Sequence, residues 1–543
     1  MAHVFLTNPP LNMAETPLQY HRPLVPMGLA YLGAVLEQEF SGGAYEEFVR
    51  ARVRGQSLGR YRSSGRVAAQ DNMRLSFYEE YHLSRLLDRM DAFFAGVPPE
   101  EQFIGLSVLS DGMRGARSML RAFRLRFPAS TIIVGGPHAT FFPYDFYQDP
   151  QSRHGPLVDF VVRNEAEQVI SAIVNHRLDT ALQLRQNAAT FGISLSDCDY
   201  SDADYRVIDA GQYRGASSFP AVHVLDQLPM PAYFLFEDER GRLPYEPDRR
   251  YGLGEPAANI NSSRGCPHHC TFCTIPKLVP GYRTLSPKRM VEIVEFLNRE
   301  YGVQSVFFRE DNFMYSGGTL GGDRWPDVAE FCQRLIEKRI TVRWAIEARA
   351  DNLLASSGRE GLSRIELLRR AGLSGVYMGV ESGSDVMLKL FVKGTSVSGM
   401  SQALRACQAQ GIAVIATALY ADPDLLLKAR FVSVDLNASE YQRGIVEQRE
   451  SILTQTRAFL DRHEIPLECR EEYAMVGIPI STTYELLDRY RDQCPSLVEH
   501  YDQASRYIYP KGFQWWSTKV YDAKRGVRPY FGYNYLADSQ ISL

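Results

Sequence analysis

The chain has 543 residues, 45% hydrophobic and 23% charged, with a formal net charge of −4. This allows two to four globular domains with sizeable cores and excludes the basic balance on which nucleic-acid binding rests; no basic tail or aromatic–basic repeat argues otherwise. No apolar run of about eighteen residues predicts a membrane span, and the start, Met1-Ala2-His3-Val4, lacks the basic and apolar regions of a signal peptide.

The first elements read as α/β. His3 to Leu6 is a short apolar strand ended by Asn8-Pro9-Pro10, and Pro26 to Leu36 follows with helical spacing and Pro at its start. Residues 41 to 100 are polar and Arg-rich, and no strand is legible there. Phe103 to Val108 is a buried-strand run, Arg114 to Phe127 an amphipathic helix, and Thr131 to Val134 a strand stopped by Gly135-Gly136-Pro137. Val158 to Val162 is a further strand. The repeated order of strand, loop and helix predicts a parallel sheet with helices on both faces. Residues 181 to 250 read as a connector with some short strands and a turn at Asp226 to Pro231.

From Ala257 the alternation resumes. Helix Pro287 to Tyr301 precedes strand Ser305 to Phe308, and Asp327 to Lys338 precedes Thr341 to Ile346. Ile365 to Ala371 then precedes Val376 to Val380, and Val397 to Gln410 precedes Ile412 to Leu419. Repeated βα units of this length predict a barrel or partial barrel. Residues 421 to 445 read as an insertion; helix Gln448 to Arg462 and a strand near Tyr473 to Val476 would close a sixth unit. The tail from about 485 is rich in Tyr, Trp and Phe and reads as a small lobe, either core or a roof over a pocket.

Chemistry concentrates in one loop, Arg264-Gly265-Cys266-Pro267-His268-His269-Cys270-Thr271-Phe272-Cys273. Three thiolates at this spacing can hold three irons of a cubane 4Fe–4S cluster and leave the fourth open, whereas most such clusters take four cysteines. A zinc site, a disulfide and chance are the alternatives. Zinc usually takes four ligands, so His268, His269 or a distant residue would have to complete it. A disulfide leaves one cysteine over. The other five cysteines lie far apart and read as reduced, partly buried thiols of a cytoplasmic protein.

The loop resembles the signature of the radical S-adenosylmethionine (SAM) enzymes. The resemblance implies that the open iron, held by Cys266, Cys270 and Cys273, binds the amino and carboxylate groups of SAM. One electron then cleaves the sulfonium to a 5′-deoxyadenosyl radical. Phe272 stands where the family places an apolar residue against the adenine. Arg309-Glu310-Asp311-Asn312-Phe313 is similar to the family's acidic stretch, so Glu310 and Asp311 are candidates for the SAM ammonium; a helix N-cap or a surface loop is the other reading. Trp344 to Asp351 resembles the third-strand motif, where Arg349 faces the SAM carboxylate or closes an internal salt bridge. Gly379-Val380-Glu381-Ser382-Gly383-Ser384 resembles the fourth-strand motif, with Glu381 and Ser382 on the ribose or the methionine end. After the fifth strand the family's Gly-Pro-Gly-Glu-Thr-like turn is replaced by Ala418-Leu419-Tyr420-Ala421-Asp422-Pro423, and Val476 to Thr482 resembles the sixth-strand element only loosely.

The first segment resembles the cobalamin-binding domain fused to many radical SAM barrels. Asn8-Pro9-Pro10, Pro26-x-Gly28-Leu29-Ala30-Tyr31-Leu32, Ile104-Gly105-Leu106-Ser107, Val134 to Thr140 and Val158 to Val162 with Glu165-Ala166-Glu167 carry it as a set. The resemblance implies cobalamin contacts from Pro9, Ser107, Ser110, Gly135, Gly136, Pro137 and His138. Ligands of open parallel sheets bind beyond the carboxyl ends of strands, and Gly135-Gly136 removes side chains there; the other reading is a simple tight turn. The Asp-x-His-x-x-Gly motif that supplies histidine to cobalt is absent, and the family's Gly-Glu pair is Asn164-Glu165 here. The family's second strand belongs in residues 41 to 100.

The expected fold is α/β: a doubly wound, flavodoxin-like cobalamin-binding domain at 1–180, a connector at 181–250, a partial (βα)6 radical SAM barrel at 251–484 and a C-terminal lobe at 485–543. The expected cofactors are a 4Fe–4S cluster, SAM and cobalamin. The expected activity is methylation of an unactivated carbon of a small molecule, through the deoxyadenosyl radical and methylcobalamin. An external electron donor such as flavodoxin or ferredoxin is implied. A radical rearrangement or cyclisation, with or without cobalamin, is the alternative, and a non-catalytic cobalamin-binding protein the third class. Nucleic acid and membrane are not expected partners, and natural-product biosynthesis follows from family analogy alone.

Overall fold

Short apolar runs become the strands of two parallel sheets in the computed structural model. It describes residues 2–9, 25–53, 73–77, 82–109, 113–141, 146, 157–167, 170–176, 194–195, 206–209, 224–238, 240–279, 281–315, 324–354, 363–420, 451 and 454–474. The 421–445 insertion, the 476–482 element, the 485–543 lobe and Ser110 lie outside the described residues.

The first sheet contains β1 (Ala2–Thr7), β2 (Met73–Phe77), β3 (Gln102–Ser107), β4 (Thr131–Gly135), β5 (Phe160–Arg163), β6 (Ser194–Leu195) and β7 (Arg206–Asp209). Their order is β2-β1-β3-β4-β5-β7-β6, parallel except for β6. The first five strands thus follow the doubly wound 2-1-3-4-5 order. β2 is the strand missing from the sequence reading. It alternates Met73, Leu75 and Phe77 with Arg74 and Ser76, the pattern of an edge strand rather than the continuous apolar run of a central one. β6 and β7 carry the sheet past residue 180, the expected domain boundary.

Helices cover both faces. Helix Leu83–Phe94 buries Leu86, Met90, Phe93 and Phe94, one stripe at helical spacing. It packs with helix Met113–Arg126 over Phe5, Ile104, Leu106 and Val134. Helix Met27–Phe40 lies on the opposite face with helix Ile170–His176.

The second sheet contains β8 (Ala257–Ile260), β11 (Ser305–Phe308), β12 (Arg343–Ala348), β13 (Leu373–Glu381), β14 (Ala413–Tyr420) and β15 (Arg470–Ala474). These six strands are parallel and run in sequence order, the arrangement that successive βα units produce. The strand expected near Tyr473 begins three residues earlier, at Arg470. Between β8 and β11 a two-stranded hairpin, β9 (Ser263–Arg264) and β10 (Arg283–Thr284), stands apart from both sheets. Helix Pro287–Tyr301 starts at Ser286, whose hydroxyl accepts from the Arg289 amide, and ends at Gly302 with φ 64°, a conformation that glycine adopts without strain.

One face of the second sheet changes character along its strands. Near their amino ends Phe307, Ala345 and Ile415 pack around Tyr251, whose ring stacks on Phe307 at 5.3 Å. Gly375 leaves the room for that ring: a Cβ there would lie 2.6 Å from Tyr251 Cβ. Toward the carboxyl ends the same face presents Glu347, Gly379 and Thr417.

The two sheets share a continuous apolar core, and the end of the connector lies inside it. Leu225, Leu228, Met230, Ala232, Tyr233 and Phe236 are all buried. Ala232 donates its amide to the Ala30 carbonyl at 2.9 Å, and the Leu228 carbonyl accepts from Arg289 Nη2 at 3.0 Å. Asn259 of β8 brackets residue 25 of the first unit: its side chain accepts from the Val25 amide and donates to the Val25 carbonyl, both at 2.9 Å. Cys332 and Cys407 are fully buried, and burial pushes the Cys407 thiol up to about 12, as expected of inert core thiols. Cys198 and Cys494 lie outside the described residues. No helix among the described residues is long and apolar enough to cross a membrane.

Candidate functional site

The hairpin β9–β10 encloses the cysteine loop. The loop departs at Gly265, with φ 82°, and a Cβ there would lie 2.1 Å from the Gly281 carbonyl oxygen. Only glycine lets the loop's two ends approach so closely. Cys270 is buried, and Cys266 and Cys273 are half-buried. Burial raises the Cys266 thiol and pushes Cys273 up to about 12, so their deprotonated forms need cationic or metal compensation. Arg349 brings a cation to the loop, with its Nη1 3.6 Å from Cys270 Sγ. Thr271 donates its amide to the Phe391 carbonyl at 3.0 Å, and the Phe272 ring meets Phe391 edge-on at 5.4 Å. The loop therefore rests on the end of helix Asp385–Leu390.

Beside the loop, the His268 ring meets Tyr315 edge-on at 5.6 Å. Its Nε2 is buried and has no hydrogen-bond partner. Burial first, then Arg349, pushes this imidazole down to about 4. Among the described residues no three His, Cys, Asp or Glu side chains converge to hold a single metal ion.

Glu310 and Asp311, adjacent in sequence, have opposite surroundings. Glu310 is buried and its carboxylate is taken: Oε1 accepts from the Ser262 amide at 2.5 Å, and Oε2 accepts from the Ser263 hydroxyl and from Arg324 Nη1. It ties the end of β11 to the start of the hairpin, which is neither an N-cap nor an open acceptor. Asp311 is exposed by surface area yet walled by protein and hydrogen-bonded to the Gly265 amide. That packing, and then Glu310, pushes its carboxyl up to about 6. Arg324 carried no legible signal in the sequence, since it lies fourteen positions from its partner.

Arg349 adopts the internal arrangement. It pairs with Asp351 at 3.1 Å and donates to the Lys393 carbonyl, while its guanidinium still faces Cys270. Glu381 stands at a register shift in β13 with φ 63°. Lys393 Nζ donates to its Oε1 at 2.7 Å, and the Thr417 hydroxyl to its Oε2 at 3.2 Å. Gly379 makes space for this pair, since a Cβ there would lie 2.6 Å from both Glu381 Oε1 and Lys393 Nζ. Ser382 is buried, its hydroxyl 3.3 Å from that of Thr456. Lys393 and Thr417 were missed as site residues; a lysine twelve positions after a strand-end glutamate was the available hint.

On the first sheet, Gly136 follows β4 with φ 96°, and a Cβ there would meet the Val108 amide nitrogen and carbonyl oxygen at 2.8 Å. Val108 and His138 fasten this turn through Val108 N to Gly135 O (2.9 Å) and His138 N to Val108 O (3.0 Å). Ser107 Oγ borders the same space, at 3.0 Å from that Cβ position, and Pro9 is buried. The His138 ring is fully buried and meets Phe146 edge-on at 5.7 Å, so it packs inside the domain rather than at the open strand ends. Helix Pro137–Phe141, which begins after the glycine pair, lies beside helix Ile275–Leu278, which begins two residues after Cys273. The glycine turn and the cysteine loop are thus neighbours.

The sequence model described as the radical SAM superfamily matches residues 260–423. An uncharacterized methyltransferase of Pyrococcus horikoshii is 23% identical over 360 residues, 64% of this chain and 68% of that protein. The anaerobic magnesium-protoporphyrin IX monomethyl ester cyclase of Rubrivivax gelatinosus is 25% identical over 57% of this chain; the match spans only 49% of the cyclase. Among solved structures, the cobalamin-dependent SAM radical enzyme OxsB, with aqua-cobalamin and SAM bound, superposes with a TM-score of 0.55. That likeness covers 91% of this chain and 61% of OxsB at 16% identity, and at that identity it speaks for a shared fold.

Proposed function

From the radical SAM match over residues 260–423, we propose that the chain is a cobalamin-dependent radical SAM enzyme methylating an unactivated carbon of a small molecule. The observation that carries the reading is the adjacency of the cysteine loop and the Gly135–Gly136 turn through their two following helices. A 4Fe–4S cluster would be held by Cys266, Cys270 and Cys273, with SAM beside it, and cobalamin would lie at the glycine turn. Together these groups supply reductive cleavage of SAM and a transferable methyl group; the protein supplies placement and exclusion of water.

The residues present suit these groups. Three cysteines in one loop, a guanidinium against Cys270 and a buried, unpartnered His268 Nε2 suit an anionic cluster. Asp311 is the carboxylate open to a SAM ammonium, since Glu310 is consumed by its own chain. Arg349 balances thiolate charge at Cys270. The Lys393–Glu381–Thr417 group holds the β13 end rigid, with Glu381 oriented by two donors. Phe272, braced by Phe391, offers an apolar edge for adenine. A nucleotide tail would lie along the Gly135–Gly136 turn, where the missing side chain of Gly136 lets Val108 and Ser107 close in, with Pro9 after β1, two strands away.

The match to a cyclase favours one second reading, a radical cyclisation or rearrangement. Anaerobic reconstitution with iron, sulfide and hydroxocobalamin tests the proposal. The expected results are iron–sulfur and corrin absorbance, reductant-dependent SAM cleavage, and a one-methyl mass gain in a candidate metabolite pool given labelled SAM. Cleavage with product of unchanged mass favours cyclisation; corrin uptake without cleavage would leave only a carrier.

A further inference from the structure

The two cross-strand arginines of the β9–β10 hairpin, Arg264 and Arg283, stand at the two roots of the cysteine loop. Both reach the same short segment of the first domain, directly after β5. Arg283 forks onto Glu165, with Nη1 to Oε2 at 2.8 Å and Nη2 to Oε1 at 2.5 Å. Arg264 holds Glu167 Oε1 at 2.6 Å and Glu165 Oε2 at 3.2 Å, with the Tyr31 ring 5.2 Å from its guanidinium carbon. The four side chains are 6–15% exposed. Burial pushes the Glu165 carboxyl up, but Arg283 and Arg264 outweigh it and hold the carboxyl below its usual value.

The same segment is fastened to the glycine turn. Arg163 Nε donates to the Thr140 carbonyl at 3.0 Å, and the Asn164 amide to the Thr140 hydroxyl at 2.8 Å. Thr140 in turn donates to the Gly136 carbonyl at 3.0 Å. A continuous chain of polar contacts therefore runs from Gly136, through Thr140 and residues 163–167, to both roots of the cysteine loop.

Buried ion pairs contribute little net stability, because desolvation offsets attraction; their well-attested use is to specify one geometry. Bidentate arginine–carboxylate pairs fix orientation as well as distance. We propose that Glu165, Glu167, Arg264 and Arg283 are positioning residues, a clasp that sets the register of the Gly135–Gly136 turn against the cysteine loop. The inference rests on the proposed function for its purpose: register between the two loops is register between the two cofactors.

The test uses the full chain loaded with cluster and hydroxocobalamin, then reduced so that cobalt and cluster are both paramagnetic. In the unmodified chain, electron paramagnetic resonance reads a magnetic interaction between them. Glu165→Gln and Arg283→Lys are expected to keep both cofactors by absorbance yet weaken or scatter that interaction, and the charge exchange Glu165→Arg with Arg283→Glu to restore it in part. An interaction unchanged in both single variants overturns the clasp. So does loss of both cofactors with a lowered unfolding midpoint that the exchange fails to rescue, which would make the pairs merely structural. If the unmodified chain takes up no corrin, the proposed function fails and the clasp is read by hydrogen exchange instead. Glu165→Gln should then speed exchange at 131–141 and 265–284 together, by about tenfold, and a rise confined to one segment overturns it.

Discussion

The two sheets present their carboxyl ends in different ways. The first offers backbone: Gly135, Gly136 and a turn tied by main-chain bonds to Val108. The second offers buried charge: Glu310 with Arg324, Glu381 with Lys393, and Arg349 against Cys270. A backbone-lined end can accept a large ligand with little side-chain chemistry, whereas a charged, buried end orients a small polar one. The difference teaches that, under the proposed function, the first domain would act as a platform and the second as a reaction site, and the two roles can be tested separately.

The sharpest break is Cys270→Ala. It should abolish cluster absorbance and SAM cleavage while leaving corrin uptake intact; loss of both would show that the two sheets do not respond independently. Next is Lys393→Met, which strands Glu381 as a buried, unpaired carboxylate at a cost of about 3–5 kcal/mol, read as a fall in the denaturant midpoint. Adding Glu381→Gln should recover much of that loss, because the charge is then gone.

Gly136→Ala tests the platform. It places a Cβ 2.8 Å from Val108 backbone atoms at φ 96°, for a strain of about 1–3 kcal/mol. Corrin uptake should fall while SAM cleavage persists. The mildest test is acid. Because Glu165 is held below the usual value of 4.5, its pairing contributes fully above that pH and is lost as pH falls through the lowered value. The protection of amides at 265–284, expressed relative to the intrinsic exchange rate at each pH, should therefore stay constant from pH 8 to about 5 and fall only in stronger acid.

Legibility followed the kind of signal each element carries. β3, β4, β11, β12, β13 and β14 are apolar runs beside amphipathic helices, and their positions were readable to within a few residues. β2 was not, because at an edge its alternation with Arg74 and Ser76 resembles the polar stretch around it. The cysteine loop was readable from spacing alone. The acidic stretch was readable as a place, but not the division of roles within it, since Glu310 is consumed by Ser262, Ser263 and Arg324 and Asp311 is not. For Arg349 the sequence left two readings, and the fold took the internal pair with Asp351 while keeping the guanidinium on Cys270.

By itself, the order of residues determined the two alternating strand–helix segments, the three-cysteine loop and the glycine turn, because periodicity, spacing and the absence of a side chain are local properties of a chain. Only tertiary structure decided that the glycine turn stands beside the cysteine loop, and that Glu165 meets an arginine 118 positions away. Such partners are chosen by how the two sheets pack, and a buried charge takes whichever opposite charge that packing brings within reach.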